Sequence, residues 1–177
     1  MAELLSLDLV EKKLITKQIV LTIGYDIENL TDNNISELYN GEITTDRYGR
    51  KIPKHAHGTI NLDHKTSSTK IITEAVIKLY DKIIDKRLLS RRINITANNV
   101  VDENQFMQDK NSEQINLFTD YKQKDKEIQN EKEEKELQRA VIGIKRKYGK
   151  NAIIKGMNLQ EAGTTIERNG QIGGHKG

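Results

Sequence analysis

The chain has no cysteine, no tryptophan, a single proline and two phenylalanines among its 177 residues. Without cysteine there is no disulfide, no thiolate metal site and no cysteine nucleophile, and a reducing interior is permitted. Apolar runs reach only a few residues, far below the roughly 20 that span a bilayer, and the start lacks a basic-then-apolar leader pattern. A cytoplasmic protein with no membrane association is therefore expected. A catalytic constellation is missing as well. No glycine-rich loop joins a strand to a helix with a following Lys-Ser or Lys-Thr, and Gly170-Gln171-Ile172-Gly173-Gly174 sits near the end with no strand before it. Adjacent carboxylates such as Glu133-Glu134 fall in charged, solvated stretches where nothing would perturb them. His55 and His57 form a His-x-His pair and His64 and His175 stand apart, but with neither cysteine nor an acidic cluster nearby a polar surface role outweighs a metal site. Neither metal nor other cofactor is expected in this chain.

What is present is 35% hydrophobic and 31% charged residues, enough for one modest core and tails. The net charge of +3 is unevenly placed. Between Thr44 and Lys70 stand six cations against two acids, and between Gln138 and Lys155 six cations and no acid. Basic stretches of this size suit a polyanion, although charge runs are more often solvated surface.

The most informative stretch runs from Lys54 to Val101. Alternation over Lys54 to Asp63 puts Ala56, Gly58, Ile60 and Leu62 on one face of a strand and His55, His57, Thr59 and Asn61 on the other. A Thr66 to Thr69 cap then opens a helix from Lys70 to about Ile84, with Ile72, Val76, Leu79 and Ile83 along one side. Over Arg91 to Val101, Ile93, Ile95 and Ala97 oppose Arg92, Asn94, Thr96 and Asn98. Upstream, Ala2 to Ile15 reads as a helix with Leu4, Leu7, Val10 and Leu14 on one face, and Gln18 to Tyr25 as a strand. Three strands and two helices imply an α+β domain: a mixed or antiparallel sheet with both helices on one face. The other face is then bare, and an open surface of Asn, Thr, His and Arg with almost no carboxylates suits phosphates. Asp26 to Pro53 reads as a long, partly ordered insertion whose basic second half favours a contact role.

After Val101 the pattern changes. Asp102 to Glu113 reads as polar linker, and Gln114-Ile115-Asn116-Leu117-Phe118 is an isolated apolar group. Tyr121 to Glu136 reads as a solvated helix or a disordered spacer, followed by a short amphipathic helix carrying Leu137, Val141, Ile144 and Tyr148 and ended by Gly149. The expected organisation is a domain over 1–103, a linker over 104–120, a charged then amphipathic helix over 121–149, and a flexible tail over 150–177.

The order of Ile19-Val20-Leu21-Thr22-Ile23-Gly24-Tyr25, His57-Gly58-Thr59-Ile60-Asn61-Leu62, Thr66-Ser67-Ser68-Thr69 and Arg91-Arg92-Ile93-Asn94-Ile95 resembles the little-finger domain of Y-family translesion DNA polymerases. The likeness extends to the UmuC-like, UvrX-type branch of Gram-positive bacteria, whose C-terminal end is similar to Glu167 to Lys176. The resemblance implies a four-stranded sheet with two helices on one side, its open side holding primer-template DNA by its phosphates. Three of the four strands are read here, so the domain is expected to be incomplete at its N-terminal side. Arg91 and Arg92 match the basic pair opening the family's last strand, a phosphate contact, though alternation turns Arg91 inward. The DNA-binding set expected is Arg91, Arg92, Asn94, Thr96, His55, His57, Thr59, Lys54, Arg50 and Lys51. The family's palm, with the carboxylates that hold Mg2+, is expected to lie upstream, so the chain itself is not expected to be an enzyme and a separate catalytic polymerase fragment is a possible partner.

Gln114-Ile115-Asn116-Leu117-Phe118 resembles the bacterial sliding-clamp-binding peptide. Gln114 would fix register through a hydrogen bond while Leu117 and Phe118 fill an apolar pocket. The expected function is DNA binding without sequence preference, within an error-prone repair polymerase tethered to the clamp. Two rivals stand beside it: an RNA-binding or ribosome-associated module using the same open face, and a protein of clamp interaction only. RNA modules usually stack bases on strand aromatics, and the faces read here carry none.

Overall fold

The computed structural model describes residues 1–32, 39–110, 121–161, 163–172 and 175–176. The chain falls into two compact units, Met1–Asn116 and Leu117–Gly177. The first is α+β with an antiparallel sheet, as its periodicities imply.

Helix α1 (Ala2–Glu11) leads into β1 (Leu14–Tyr25), the centre of the sheet. The helix stops four residues short of the Ile15 expected from its apolar spacing. Leu14 onward is rich in β-branched residues, Ile15, Thr16, Ile19 and Val20, which prefer a pleated surface. Lys13 makes the corner with φ at 55°. The buried side of α1 also differs from the expected stripe: Leu4 is exposed, while Ala2, Ser6, Leu7, Leu9 and Val10 are buried.

Strands β4 (Ala56–Thr66) and β5 (Ser90–Asn98) flank β1, both antiparallel to it. The expected single strand to Val101 breaks at Asn99, where φ is 52°. A short β6 (Val101–Asp102) then pairs with Leu14 and Ile15. The break is plugged from β1 by buried Thr16, whose Oγ1 donates to the Asn98 carbonyl at 2.5 Å.

Between β4 and β5 runs α3 (Thr69–Ile83). Ser68 caps it by accepting the Ile71 amide at 3.2 Å, and Thr66 Oγ1 accepts the Ser68 amide at 3.0 Å, so the Thr-Ser-Ser-Thr run does what its composition implies. Its inward side, Ile72, Ala75 and Leu79 with Val76 and Ile83 beside them, covers the apolar face of the sheet in two clusters. One joins Ile72 and Ala75 to Ala2, Leu9, Ile19 and Leu62; the other joins Leu79 to Leu21, Ile23, Tyr25 and Leu88.

The described parts of the Asp26–Pro53 segment, residues 26–32 and 39–53, carry regular structure. They hold a short helix α2 (Glu28–Thr31) and a hairpin of β2 (Ile43–Thr45) and β3 (Lys51–Pro53). Asn29, fully buried, ties this segment to the sheet: its Nδ2 donates to the Asp26 and Leu89 carbonyls at 2.8 and 2.9 Å, and its Oδ1 accepts the Leu89 amide at 2.7 Å. Where polar linker is read after Val101, helix α4 (Glu103–Lys110) forms instead, started by Asp102 Oδ1 accepting the Asn104 and Gln105 amides. Phe106 of α4 lies under the Lys65 ammonium, 4.5 Å from its ring centre.

In the second unit, the two segments read over Tyr121 to Tyr148 form one helix, α5 (Tyr121–Tyr148), ended by Gly149 at φ 97°. Its mean composition is polar, and Leu137 and Tyr148 stay 65% and 67% exposed. A short α6 (Thr165–Asn169) and the pair β7 (Gln171–Ile172) and β8 (His175–Lys176) follow.

Candidate nucleic-acid interface

Because both helices sit on one side, the opposite face of β1, β4 and β5 is uncovered, and the register turns three separate alternations into rows. Gln18 lies between Asn61 and Asn98, Val20 between Thr59 and Thr96, and Thr22 between His57 and Asn94. Gly24 stands opposite Arg92. The side chains are knitted across the strands. Gln18 Nε2 donates to Asn61 Oδ1 at 2.9 Å, Asn98 Nδ2 donates to Gln18 Oε1 at 3.3 Å, and Thr22 Oγ1 shares a hydrogen bond with His57 Nδ1 at 3.0 Å. No carboxylate stands in these paired rows, and Asp63, next in the alternation, lies beyond the last of them.

The structure brings His57, Thr59, Asn94, Thr96 and Arg92 together on this face, all of them exposed. Their neighbours Gln18, Val20, Thr22, Asn61 and Asn98 complete it. His55 precedes β4, with its ring edge-on to His57 at 6.4 Å. Arg91 does not turn inward as alternation implies. The pairing shifts between Gly24 and Tyr25, with Gly24 opposite Arg92 and Tyr25 opposite Ser90, so Arg91 is the extra residue of a bulge. A bulge re-aims a side chain, and Arg91 is exposed, with Nη1 3.6 Å from Asp26 Oδ2.

Lys54, Arg50 and Lys51 belong to the hairpin and its exit rather than to β4. Two of these cations are matched by acids. Lys54 Nζ meets Glu42 Oε2 at 2.6 Å, and Arg50 Nη2 meets Asp46 Oδ2 at 2.7 Å. The basic excess of this stretch is therefore smaller on the folded surface than along the sequence, where Glu42 falls outside the window. Asp46 is held below its ordinary carboxylate value, chiefly by the Arg50 amide, with the Arg50 side chain and the Tyr48 amide adding to it. Asp85 is likewise lowered by the Arg87 side chain, which grips it at 2.9 and 2.8 Å. Among the described residues no group of three or more acids and histidines could hold a metal ion, and no helix is long and apolar enough to cross a membrane. Gln114, Leu117 and Phe118 lie outside the described residues.

The first unit is thus an antiparallel sheet covered by two helices on one side and open on the other as a polar, carboxylate-poor surface. The chain belongs to the impB/mucB/samB family, whose C-terminal domain matches residues 1–117. It is similar to the "Putative UV-damage repair protein UvrX" of Bacillus subtilis (strain 168), 31% identical over 120 residues that make up 68% of this chain and 25% of that protein. It is also similar to "DNA polymerase IV 2" of the same organism, 30% identical over 116 residues, 66% of this chain and 24% of that protein. The chain thus spans about a quarter of the length of these relatives. The resemblance to the C-terminal domain of Y-family polymerases holds.

Proposed function

We propose that this chain grips DNA through the open face of β1, β4 and β5, without sequence preference, as the C-terminal part of an error-prone translesion polymerase. The observation that carries the reading is the register itself. It sets Asn, Gln, Thr and His side chains in rows across three strands, places Arg91 and Arg92 at one end, and leaves no carboxylate between them. Such groups donate to phosphate oxygens, and contacts of that kind position a duplex without reading its bases. The rows hold no Phe, Tyr or Trp, which favours backbone contact over an RNA module that stacks bases. His55, His57, Thr59, Asn94 and Thr96 supply hydrogen-bonding partners, Arg92 a charge at one end of the rows, and Lys51, Arg50 and Lys54 a flanking set. Arg91 exchanges Asp26 for phosphate.

In this reading nucleotide transfer, with its Mg2+, belongs to a catalytic palm and not to these residues. Gln114, Leu117 and Phe118 tether the chain to a sliding clamp, and its place of action is the cytoplasm. The test is anisotropy with labelled duplexes of several sequences. Arg92→Ala weakens all of them alike and lowers the slope of log affinity against log salt by about 1. An unchanged slope removes Arg92 from the interface. Leu117→Ala with Phe118→Ala abolishes clamp binding and leaves the duplex affinity intact; loss of both together means the peptide is a local anchor.

A further inference from the structure

The exposed tip of the hairpin of β2 and β3 is tied together by a set of hydrogen bonds centred on Asp46. Asp46 Oδ1 accepts the amides of Tyr48 and Arg50 at 2.8 and 3.0 Å, and its Oδ2 accepts Arg50 Nε at 2.8 Å. Gly49 takes φ 80°, which lets its amide reach the Asp46 carbonyl at 3.0 Å. This frame presents Tyr48, 67% exposed, with the Arg47 guanidinium 4.7 Å and the Arg50 guanidinium 5.2 Å from its ring centre. Arg47 Nη2 also donates to the Tyr48 hydroxyl at 2.6 Å. Arg50 spends its charge on Asp46, whereas among the described residues no carboxylate pairs with Arg47 or Lys51. The tip is therefore cationic, aromatic and tied by hydrogen bonds, with Arg47, Tyr48 and Arg50 all exposed.

We propose that Arg47 and Tyr48 form a stacking site for an unpaired DNA base, separate from the sheet face and resting on the reading that this face grips duplex. Planar rings and guanidinium groups stack on any base whose face is uncovered, and the adjacent cations take the neighbouring phosphates. Bases inside a duplex are already stacked on one another, so the site selects single-stranded template. Topology places it suitably. The hairpin connects the Tyr25 end of β1 to the Ala56 end of β4, the same end of the sheet that carries Arg91 and Arg92. A strand leaving the duplex there would meet it.

The chain contains no tryptophan, so Tyr48→Trp adds a single tryptophan at the tip, excited selectively over the remaining tyrosines. In the full chain its fluorescence falls on adding a duplex with an unpaired template extension and stays level with the same duplex made blunt. In anisotropy, the extension tightens wild-type binding about tenfold; Tyr48→Ala loses that gain, Tyr48→Phe keeps it, and neither alters blunt-duplex affinity. Blunt-duplex binding with no gain from the extension, or a gain that survives Tyr48→Ala, overturns this site and leaves the sheet reading standing. Absence of binding to either DNA overturns both.

Discussion

Asn29 shows how one polar side chain can hold a loop against a sheet. Its amide adds to the backbone bond between Asp26 and Leu89, three bonds from a residue with no exposure. Removing it leaves the Leu89 amide without its partner, at a cost of about 1–3 kcal/mol, while the Asp26 and Leu89 carbonyls keep backbone donors. Asn29→Ala is therefore expected to lower stability by about 1–3 kcal/mol in urea melts, with the slope unchanged. An effect under 0.5 kcal/mol would mean that water replaces the side chain. Asp46 gives a pH test at the same scale. Its folded value lies below its unfolded one, so its contribution to the hairpin is present above the ordinary carboxylate range and is lost as pH falls through the lowered value. By NMR the Tyr48 and Arg50 amides should shift together in that acid window and not near neutrality. Titration of Asp46 at or above the ordinary range would contradict the bonds described.

At the scale of elements, two glycines on β1 and β4 separate packing from surface. A Cβ on Gly58 would sit 2.9 Å from both Leu79 Cδ1 and Ile83 Cγ2, so this position sets how closely α3 approaches the sheet. A Cβ on Gly24 meets Arg92 Cβ at an ordinary 3.6 Å on the open side. Gly58→Val is expected to cost about 1–3 kcal/mol by overpacking, while Gly24→Ala stays near neutral. Equal effects of the two would show that the helix repacks without cost. The apolar stripe of α3 is readable from its period of 3.6, whereas α1 is misjudged at its end and at Leu4, though Leu7 and Val10 of its stripe are buried. Leu14 and Ile15 fit a helical stripe as well as a strand, and what decides between them is the partner that β1 finds in β6.

For the whole molecule, a net charge of +3 supplies little long-range attraction, so affinity rests on a local set of cations and donors. If about four phosphates are neutralised, duplex affinity falls about a hundredfold between 50 and 200 mM salt, equally for unrelated sequences. A flat salt response would mean the polar rows do not meet phosphates. With Mg2+ and nucleotides present, the chain alone is expected to extend no primer, and template-dependent extension would refute the assignment of catalysis to a separate palm.

Much of this was set by the sequence alone: the helix stripe of α3, its Ser68 cap, and the alternation that separates Ile93, Ile95 and Ala97 from Arg92, Asn94 and Thr96. These are local, since periodicity and capping depend on neighbours within a few residues. Tertiary structure decided what depends on distant partners. The central place of β1 aligns Gln18 with Asn61 and Asn98, residues 43 and 80 positions away. The bulge turns Arg91 outward against its alternation, Glu42 offsets Lys54, and Asn29 is drawn into the core. None of these follows from nearest neighbours. Strand pairing and charge pairing are contacts across long loops, chosen by the register that buries the most apolar surface while pairing both sides of β1.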